Sequence, residues 1–303
     1  MHAPLSPPPS HRTERAAPES PHLRQLPYLY SHVDYRTEPT RRQEPGSIAV
    51  RALTIIPTYC EIENLQELLP QVLAHPGVDV LVVDDNSPDG TAAFVQAYAA
   101  IAPGRVHLLQ REAKLGLGTA YVAGFRWALQ RNYTHVIQMD ADFSHHPATI
   151  QRLLQAARTS DLVLGSRYVP GGRTVNWPLA RKILSRGGSF YARTVLSLPV
   201  RDLTGGFKCY RRSVLEAIDL DDIESTGYAF QIELTYRTAL LGYRITEIPI
   251  TFAERQHGTS KMDGSIIKEA LFRVWALRFT VPRSLRARGV LTEGENHTMP
   301  LSS

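Results

Sequence analysis

Two carboxylates spaced two residues apart, Asp140 and Asp142, are the residues whose types and spacing best suit chemistry. They follow an apolar run at 135–139 that is typical of a buried strand. Alternate residues of a strand point the same way, so both acids should leave the strand end on one side. Because neighbouring carboxylates repel each other, a hard cation such as Mg²⁺ or Mn²⁺ would fit between them, with substrate phosphates as further ligands. The alternative is a solvated loop in which one Asp caps a helix that begins at Pro147.

The elements that must position these acids alternate between strands and helices. The pattern predicts strands at 50–56, 78–83, 105–110, 135–139 and 161–165, and helices at 64–73, 91–102, 118–131 and 149–157. This order predicts an α/β fold with a mostly parallel sheet, flanked by helices and joined by right-handed crossovers. In such sheets the ligand crevice lies at the carboxyl ends of the strands. The segments 57–59, 84–85 and 140–142 all fall there, and this convergence favours a metal site over a capping loop.

The composition sets the class of protein and of partner. The chain has 303 residues, 43% of them hydrophobic, and a net charge of +5. That length and content suit one large α/β domain. The mild positive charge suits phosphate ligands or an anionic membrane surface and does not by itself indicate nucleic acid. Cys60 and Cys209 have no metal or redox spacing, so a reducing cytoplasm fits.

The ends of the chain differ from its middle. Residues 1–47 are rich in Pro, Ser, His and Arg without apolar periodicity, and 284–303 look the same. We therefore expect disordered tails on either side of one domain at 48–283. The N-terminus does not look like a signal peptide, and no run of 18 apolar residues predicts a membrane span.

Two glycine- or acid-rich motifs start like known sites and then fail. The loop that begins at Asp85 resembles a calcium loop, but its twelfth position is Gln96 rather than Glu. The Gly116–Gly118 pair starts like a dinucleotide fingerprint, but Tyr121 stands where the third glycine belongs. We expect this second segment to pack a helix start closely under a ligand instead.

A series of motifs covers residues from about 50 to 280 in a characteristic order. They are Ile56-Pro-Thr-Tyr-Cys-Glu61, Val82-Val-Asp-Asp-Asn-Ser-Pro-Asp-Gly-Thr91, Lys114-Leu-Gly-Leu-Gly118, Met139-Asp-Ala-Asp-Phe-Ser-His145, Gly165-Ser-Arg-Tyr168, Asn176-Trp-Pro178, Thr204-Gly-Gly-Phe-Lys208 and Glu254-Arg-Gln-His-Gly-Thr-Ser-Lys261. Together they resemble the GT-A (Rossmann-like) fold of inverting nucleotide-sugar glycosyltransferases. More narrowly, they are similar to the catalytic domain of dolichol- or polyprenyl-phosphate mannosyltransferases.

This resemblance implies a role for particular residues. It implies catalytic positions, which are Asp140, Asp142, Arg167 and Arg255. It implies that Asp140 and Asp142 hold the metal and the diphosphate. It also implies a set that binds the donor and acceptor, which comprises Pro57, Tyr59, Glu61, Val83, Asp85, Ala141, Arg167, Arg181, Arg255 and Lys261.

This chain departs from many relatives at two of these positions. Ser144 stands where many relatives carry Gln, and a hydroxyl holds a metal less firmly, which makes Ser144 a doubtful ligand. Cys60 stands where many carry Asn, and we interpret it as a small packing residue.

The implied reaction transfers mannose from GDP-mannose to a polyprenyl monophosphate, with inversion to a β-linked product. A monophosphate is largely ionised at neutral pH, since its second pKa is about 6, so no strong base is needed. The same machinery with UDP-glucose as donor is an alternative that the sequence separates poorly. A non-catalytic nucleotide- or lipid-binding subunit is a more remote one.

Two segments predict contact with a membrane. Residues 178–198 and 265–279 mix apolar and basic side chains in the pattern of amphipathic helices that lie in a membrane interface, although their apolar faces could equally pack on the core. The resemblance implies a cytoplasmic enzyme, peripheral at the inner face of the membrane, sometimes with a separate membrane protein partner.

Overall fold

The computed structural model describes residues 50–223, 225, 227–253 and 264–287. The strands are β1 (Ala52–Thr58), β2 (Val78–Asp84), β3 (Val106–Gln110), β4 (His135–Gln138), β5 (Leu162–Ser166), β6 (Arg173–Thr174), β7 (Lys208–Arg211), β8 (Ile245–Pro249) and β9 (Thr251–Phe252). The helices are α1 (Ile62–Leu73), α2 (Thr91–Ile101), α3 (Leu117–Leu129), α4 (Ile150–Ala156), α5 (Leu179–Leu196), α6 (Arg212–Ala217), α7 (Gly227–Leu240) and α8 (Gly264–Ala287).

The tails expected at the two ends fall largely outside these residues. Residues 1–47 lie outside the described part of the chain, and so do 288–303. Helix α8, however, continues past the predicted domain end at 283 as far as Ala287, and Leu285 in its last turn is buried. The helix is therefore longer than the sequence pattern indicated.

A seven-stranded sheet in the order β3-β2-β1-β4-β7-β5-β8 forms the centre of the fold. All neighbouring strands in it pair in parallel except β7, which is antiparallel to both β4 and β5. A separate two-stranded sheet joins β6 to β9. The predicted mostly parallel sheet flanked by helices is confirmed, with the single reversed strand as an addition.

The strand sequences explain why the sheet is an internal layer. Strand β2 reads Val-Asp-Val-Leu-Val-Val-Asp, and every one of its side chains is buried. Continuous burial is typical of parallel strands that are covered on both faces. Helix α1 buries Leu65, Leu68, Leu69 and Val72, the three- and four-residue spacing of one helical face. Gly124 lets α3 approach β1, because a Cβ there would lie 2.7 Å from Ile55 Cγ2.

The strand order creates a crevice at one edge of the sheet. The chain places β2 and β3 on one side of β1 and β4 on the other, so the direction of winding reverses between β1 and β4. Ligands of open α/β sheets bind at such a reversal, outside the carboxyl ends of the strands. The register pairs Thr58 with Asp84 and Ile55 with Gln138, which brings the end of β4 to the same edge. Asp140 and Asp142 therefore emerge where the topology leaves room for a ligand.

Helices α5 and α8 lie side by side and expose apolar side chains. The two helices contact each other, and α8 also contacts α7. Ala192 and Leu196 of α5 and Val274 and Leu277 of α8 are buried, so both predicted amphipathic helices bury one face. Large hydrophobic side chains stay exposed on the same helices, namely Leu179, Ile183, Leu184, Phe190, Leu271, Phe272, Trp275 and Phe279. Among the described helices, none combines the length and the apolar character needed to cross a bilayer.

A buried lysine joins β7 to α7. Lys208 is fully buried, and its Nζ donates to Gln231 O at 2.6 Å and to Thr235 Oγ1 at 2.9 Å. Burial lowers the pKa of the Lys208 ammonium to about 7, although the Asp202 carboxylate raises it. In an unfolded chain the lysine pKa is about 10.4. Between these values the unfolded state binds a proton that the folded state lacks, so stability rises with pH across that range.

We expect Lys208→Met to remove this pH dependence. Relative to the variant, the wild-type free energy of unfolding should rise by about 1.4 kcal/mol per pH unit between about pH 7 and 9, and stay level below about pH 7. Thr235 Oγ1 still donates to Gln231 O in the variant, so that buried carbonyl keeps a partner. Urea unfolding at several pH values measures the difference, with exposed Lys182→Met as control. Parallel wild-type and Lys208→Met curves would contradict it.

Candidate active site

The loop after β4 turns so that its polar side chains face one cavity. Asp140, Asp142 and Ser144 all line that cavity, which has a volume of about 260 Å³. Phe143 between them has φ of +58°, a left-handed conformation that bends the loop back. Asp142 Oδ1 accepts a hydrogen bond from the Ser144 backbone N–H at 3.1 Å, which fixes this carboxylate. The loop therefore brings both carboxylates to the same side, as the sequence predicted.

Two buried side chains form hydrogen bonds with Asp140. The Tyr121 hydroxyl donates to Asp140 Oδ1 at 3.1 Å, and the Asp140 backbone N–H donates to His145 Nδ1 at 3.1 Å. Burial raises the pKa of the Tyr121 phenol well above its usual value, and the Asp140 carboxylate raises it further, so Tyr121 stays a donor. Burial lowers the pKa of the His145 imidazole, more than Asp140 raises it, so the ring is neutral at pH 7. Both residues position a carboxylate without adding charge.

A buried ion pair forms another part of the cavity wall. Arg167 Nε and Nη2 donate to the two oxygens of Asp202 at 2.7 and 2.6 Å, and Nη2 also donates to Thr204 Oγ1 at 2.8 Å. Asp202 has no exposed surface, and its own N–H is capped by Glu247 Oε1. The Asp202 carboxylate therefore compensates much of the Arg167 charge. Arg167 shapes the wall, and its pull on a phosphate is weaker than that of an arginine without a carboxylate partner.

The guanidinium groups of Arg181 and Arg167 contact an aromatic ring in the part of the cavity wall next to α5. The Arg181 guanidinium lies 4.1 Å above the Trp177 ring, and the Arg167 guanidinium lies 5.5 Å from the same ring. Phe252 meets Trp177 edge to face at 5.3 Å. Stacking of this kind holds a guanidinium in place and leaves its edge for hydrogen bonds. Arg181 lies in the cavity wall, as the prediction of a role at the acceptor end requires.

The residues predicted to hold a nucleoside gather at the ends of β1 and β2. Arg111 Nε donates to Asp85 Oδ1 at 2.6 Å, and Arg111 Nη1 donates to Thr119 Oγ1 at 2.8 Å. Thr58 Oγ1 donates to Asp84 Oδ1 at 3.1 Å, which ties the two strand ends together. The Asp85 carboxylate is thus already paired and anchors the loop before α3.

The other predicted nucleoside contacts differ in how accessible they are. Tyr59 is 40% exposed, and the Lys114 ammonium lies 3.8 Å from its ring centre. Pro57 and Glu61 are half-buried beside it. The Val83 side chain belongs to the apolar core, so it can offer a ligand only its backbone.

The structure brings some of the predicted site residues together and leaves others apart. Asp140, Asp142, Ser144, Arg167 and Arg181 line one cavity. Ala141 is buried between the two acids. The five predicted nucleoside contacts form a separate cluster along the same sheet edge, outside the lining of that cavity. Arg255 and Lys261 lie outside the described residues.

Several residues of the site were not predicted from the sequence. They are Tyr121, His145, Asp202 and Gln231. His145 appeared only as the last residue of the motif at 139–145, and Tyr121 was noted only because it is not glycine. The signal that could have identified Asp202 is its place just before the glycine pair at 205–206. Glycines next to an acid indicate a close backbone approach to a polar site.

The donor set suits a hard divalent ion. Asp140, Asp142 and the Ser144 hydroxyl offer only oxygen ligands, and Ser144 Oγ is buried without a protein partner. In the described part of the chain, no three His, Cys, Asp or Glu side chains cluster closely enough to hold an ion by themselves. Mg²⁺ is commonly bound by one or two carboxylates with substrate phosphates completing its shell. The residues present therefore fit an ion that the substrate helps to bind.

Comparison with known proteins identifies the family. The family model for glycosyl transferase family 2 matches residues 54–219. The chain belongs to glycosyl transferase family 2. An undecaprenyl-phosphate mannosyltransferase of Micrococcus luteus is 55% identical over 231 residues, covering 75% of this chain and 95% of the relative. A polyprenol monophosphomannose synthase of Mycolicibacterium smegmatis is 50% identical over 255 residues, covering 82% and 95%.

Solved structures share the fold at much lower identity. The glucosyl-3-phosphoglycerate synthase of Mycobacterium tuberculosis, solved with Mn²⁺, uridine diphosphate and phosphoglyceric acid, matches with a TM-score of 0.56. It is 18% identical and covers 76% of this chain and 79% of its own. The GT-A-like fold expected from the motifs is confirmed.

We expect Tyr121→Phe to weaken metal binding. The substitution removes the hydroxyl that holds Asp140 Oδ1, and loss of such an outer partner typically costs about 10- to 100-fold in metal affinity. Electron paramagnetic resonance of Mn²⁺ titrated into the protein with a nucleoside diphosphate measures the affinity directly. Unchanged Mn²⁺ affinity would contradict the positioning role.

A matched control separates this effect from a loss of stability. Tyr210 is fully buried and donates to Gln138 Oε1 at 3.0 Å, away from the carboxylates. Tyr210→Phe removes an equivalent buried hydroxyl, so it should cost similar stability and leave Mn²⁺ affinity near the wild-type value.

Proposed function

We propose that this protein transfers mannose from GDP-mannose to a polyprenyl monophosphate, assisted by Mg²⁺ or Mn²⁺ and with inversion at the anomeric carbon. The names of the two relatives at 55% and 50% identity support mannosyl transfer to a polyprenyl phosphate. GDP as the carrier and inversion to a β-linked product follow from the resemblance of the motifs.

The observation that carries the proposal is the chemistry of the cavity wall. Among the described lining residues, the only carboxylates are Asp140 and Asp142, which fit a metal ion. His145 Nδ1 already accepts the Asp140 N–H, so the ring offers no free lone pair as a base. A hydroxyl acceptor would need a base to take its proton, whereas a monophosphate is largely ionised near neutral pH. This wall suits an acceptor that is already an anion.

Charge balance explains why an ion is needed there. Among the described lining residues, Asp140 and Asp142 carry two negative charges and Arg181 one positive charge, whereas the charge of Arg167 is offset by Asp202, which is buried outside the lining. The described wall is therefore negative by one charge, which opposes a diphosphate and a second phosphate. Mg²⁺ or Mn²⁺, when bound, would supply the positive charge that stabilises the departing diphosphate.

The residues of the chain divide the remaining work. Tyr121 and His145 hold Asp140 in the orientation that an ion would need. Ser144 lines the same cavity and could add its hydroxyl as a ligand. Arg181, a residue of α5 that stacks on Trp177, lines the cavity. We infer that Arg181 orients the acceptor phosphate, and that Arg255 and Lys261 add further phosphate contacts.

The α5 and α8 side of the cavity suits a lipid. Leu184, Tyr191, Leu271 and Val274 line the cavity from these two helices. Exposed apolar side chains on the same helices, interleaved with basic residues such as Lys182, favour binding at an anionic leaflet. We propose that the protein binds peripherally at the inner face of the membrane.

A donor competition tests the reaction. Purified protein, Mg²⁺ or Mn²⁺ and a polyprenyl monophosphate are mixed with equimolar GDP-mannose and UDP-glucose that carry different labels. We expect mannose in the organic phase, in β linkage by nuclear magnetic resonance, and at least a 100-fold loss in Asp140→Asn and Asp142→Asn because the ion loses a ligand. Glucose in the organic phase would overturn the donor, and an active double variant would overturn the metal mechanism.

A failure of the purified system has its own control. Added membranes would restore transfer if a separate membrane protein partner is required. If wild-type protein makes no lipid product with either donor even then, the proposed reaction is wrong.

Flotation with liposomes tests the membrane surface. Ile183 and Phe272 are 64% and 77% exposed, so Ile183→Glu and Phe272→Glu should fold normally. Each places a charge where an apolar side chain would enter the interface, and we expect at least about 10-fold weaker binding to anionic vesicles. Ile101→Glu, at an exposed apolar position on α2, is the matched control. Equal flotation of all four proteins would contradict the assignment.

A further inference from the structure

Two complementary polar atoms in the cavity wall have no partner in the protein. His145 is 1% exposed and Gln231 is 3% exposed, and both residues line the cavity. His145 Nε2 and Gln231 Oε1 are buried and make no hydrogen bond. An unsatisfied buried polar atom is costly, so native structures keep such atoms mainly where a ligand or water satisfies them.

The proton on His145 is placed by its neighbour. The Asp140 backbone N–H can only donate, so His145 Nδ1, at 3.1 Å, must accept. In a neutral imidazole the other nitrogen then carries the proton, which makes Nε2–H a donor. Phe207 stacks on the ring at 4.8 Å and Phe252 meets it edge on at 5.4 Å, so the ring is held in this orientation.

Gln231 is anchored in a similar way. Its backbone carbonyl accepts from Lys208 Nζ at 2.6 Å and from Thr235 Oγ1 at 2.9 Å, which fixes this turn of α7. The side-chain carbonyl is left as an acceptor in the cavity wall. The wall thus presents one donor on a fixed ring and one acceptor on a side chain whose backbone is anchored.

Gly206 leaves a gap beside both groups and the Asp140 carboxylate. A Cβ placed on Gly206 would lie 3.5 Å from His145 Cε1, 3.6 Å from Gln231 Nε2 and 3.8 Å from Asp140 Oδ1. These are ordinary van der Waals distances, so the gap has room for one methyl group, and the side chains of His145 and Gln231 both border it. It adjoins the carboxylate that is proposed to hold the diphosphate through an ion.

We propose that one hydroxyl group of the transferred sugar binds beside this gap, against the His145 and Gln231 side chains, accepting from His145 Nε2–H and donating to Gln231 Oε1. A hydroxyl is both donor and acceptor, so one group satisfies both atoms. A phosphate oxygen would satisfy His145 but repel the Gln231 carbonyl. The sugar is joined to the diphosphate, which places its hydroxyls next to Asp140. This assignment rests on the proposed function and makes His145 and Gln231 specificity-determining residues within it.

Donors that lack one hydroxyl test the assignment. GDP-mannose is compared with its monodeoxy analogues, one position at a time, in transfer to a polyprenyl monophosphate. For wild-type protein we expect one analogue to show about 10- to 100-fold lower kcat/KM. Without the hydroxyl that this analogue lacks, His145 Nε2 and Gln231 Oε1 would be left unpaired.

Three variants test whether the loss in kcat/KM arises at His145 and Gln231. His145→Asn keeps an acceptor in reach of the Asp140 N–H but lacks the Nε2–H donor, and Gln231→Leu lacks the acceptor. Gly206→Ala fills the gap without close contacts. In each variant the ratio of kcat/KM between GDP-mannose and the sensitive analogue should fall towards one. His146→Asn is the matched control, because exposed His146 also accepts a backbone N–H, from Ala148, and lies outside the cavity lining.

A binding measurement keeps the test independent of turnover. By calorimetry with Mg²⁺, the three variants should bind GDP as wild-type protein does, and should lose about 10-fold in affinity for GDP-mannose relative to GDP. Wild-type ratios in His145→Asn and Gln231→Leu would overturn the inference. It would also be overturned if those variants raised only the KM for the lipid phosphate. Failure of wild-type protein to transfer mannose at all would instead overturn the proposed function.

Discussion

Repulsion between negative charges at the end of β4 is the constraint on which this site depends. Two carboxylates emerge there from a buried strand, and the proposed reaction would bring two phosphorylated substrates to the same place. The described wall has two neutral hydrogen-bonding side chains on one side, the donor Tyr121 and the acceptor His145, and an arginine paired with a carboxylate on the other. Tyr121 and His145 hold Asp140 without charge, and Asp202 neutralises Arg167. Such a wall would suit an ion that arrives with the substrate, as the proposed function requires.

Two buried charged residues near the cavity, Lys208 and Asp202, are also held by hydrogen bonds. Lys208 lies beneath α7 with a pKa of about 7, so its ammonium is only partly protonated at neutral pH, and its hydrogen bond to Gln231 O fixes the helix. Asp202 is buried, and its carboxylate accepts hydrogen bonds from the Arg167 guanidinium and from the Arg167 backbone N–H. Fully satisfied buried networks are rigid, which is what holding two carboxylates close together requires. Rigidity in this region is therefore supplied by polar contacts as much as by apolar packing.

The sequence predicted the alternation of strands and helices and the edge at which the acids meet. It could do so because parallel strands are continuously apolar and end at polar residues, as β2 does at Asp84. It did not predict the reversed strand β7, since a fully buried Lys208 interrupts the apolar pattern there. Nor did it predict the Arg167–Asp202 pair, because the two residues lie 35 positions apart and only the fold joins them. Local sequence patterns predict which residues are buried. They do not predict which polar side chains pair, because such pairs depend on the tertiary fold.

The shared use of α5 and α8 bears on how a lipid substrate could be reached. Both helices line the cavity with side chains such as Leu184 and Val274, and both expose large apolar side chains elsewhere. A polyprenyl chain is held in the bilayer by the same hydrophobic effect that would draw Phe272 and Ile183 into the interface. Docking by these helices would bring the cavity to the depth of the lipid headgroup, so the phosphate would not have to be pulled far into water. Under the proposed function, the membrane would then act as part of the acceptor site, and the protein would need to recognise only the phosphate and the first part of the chain.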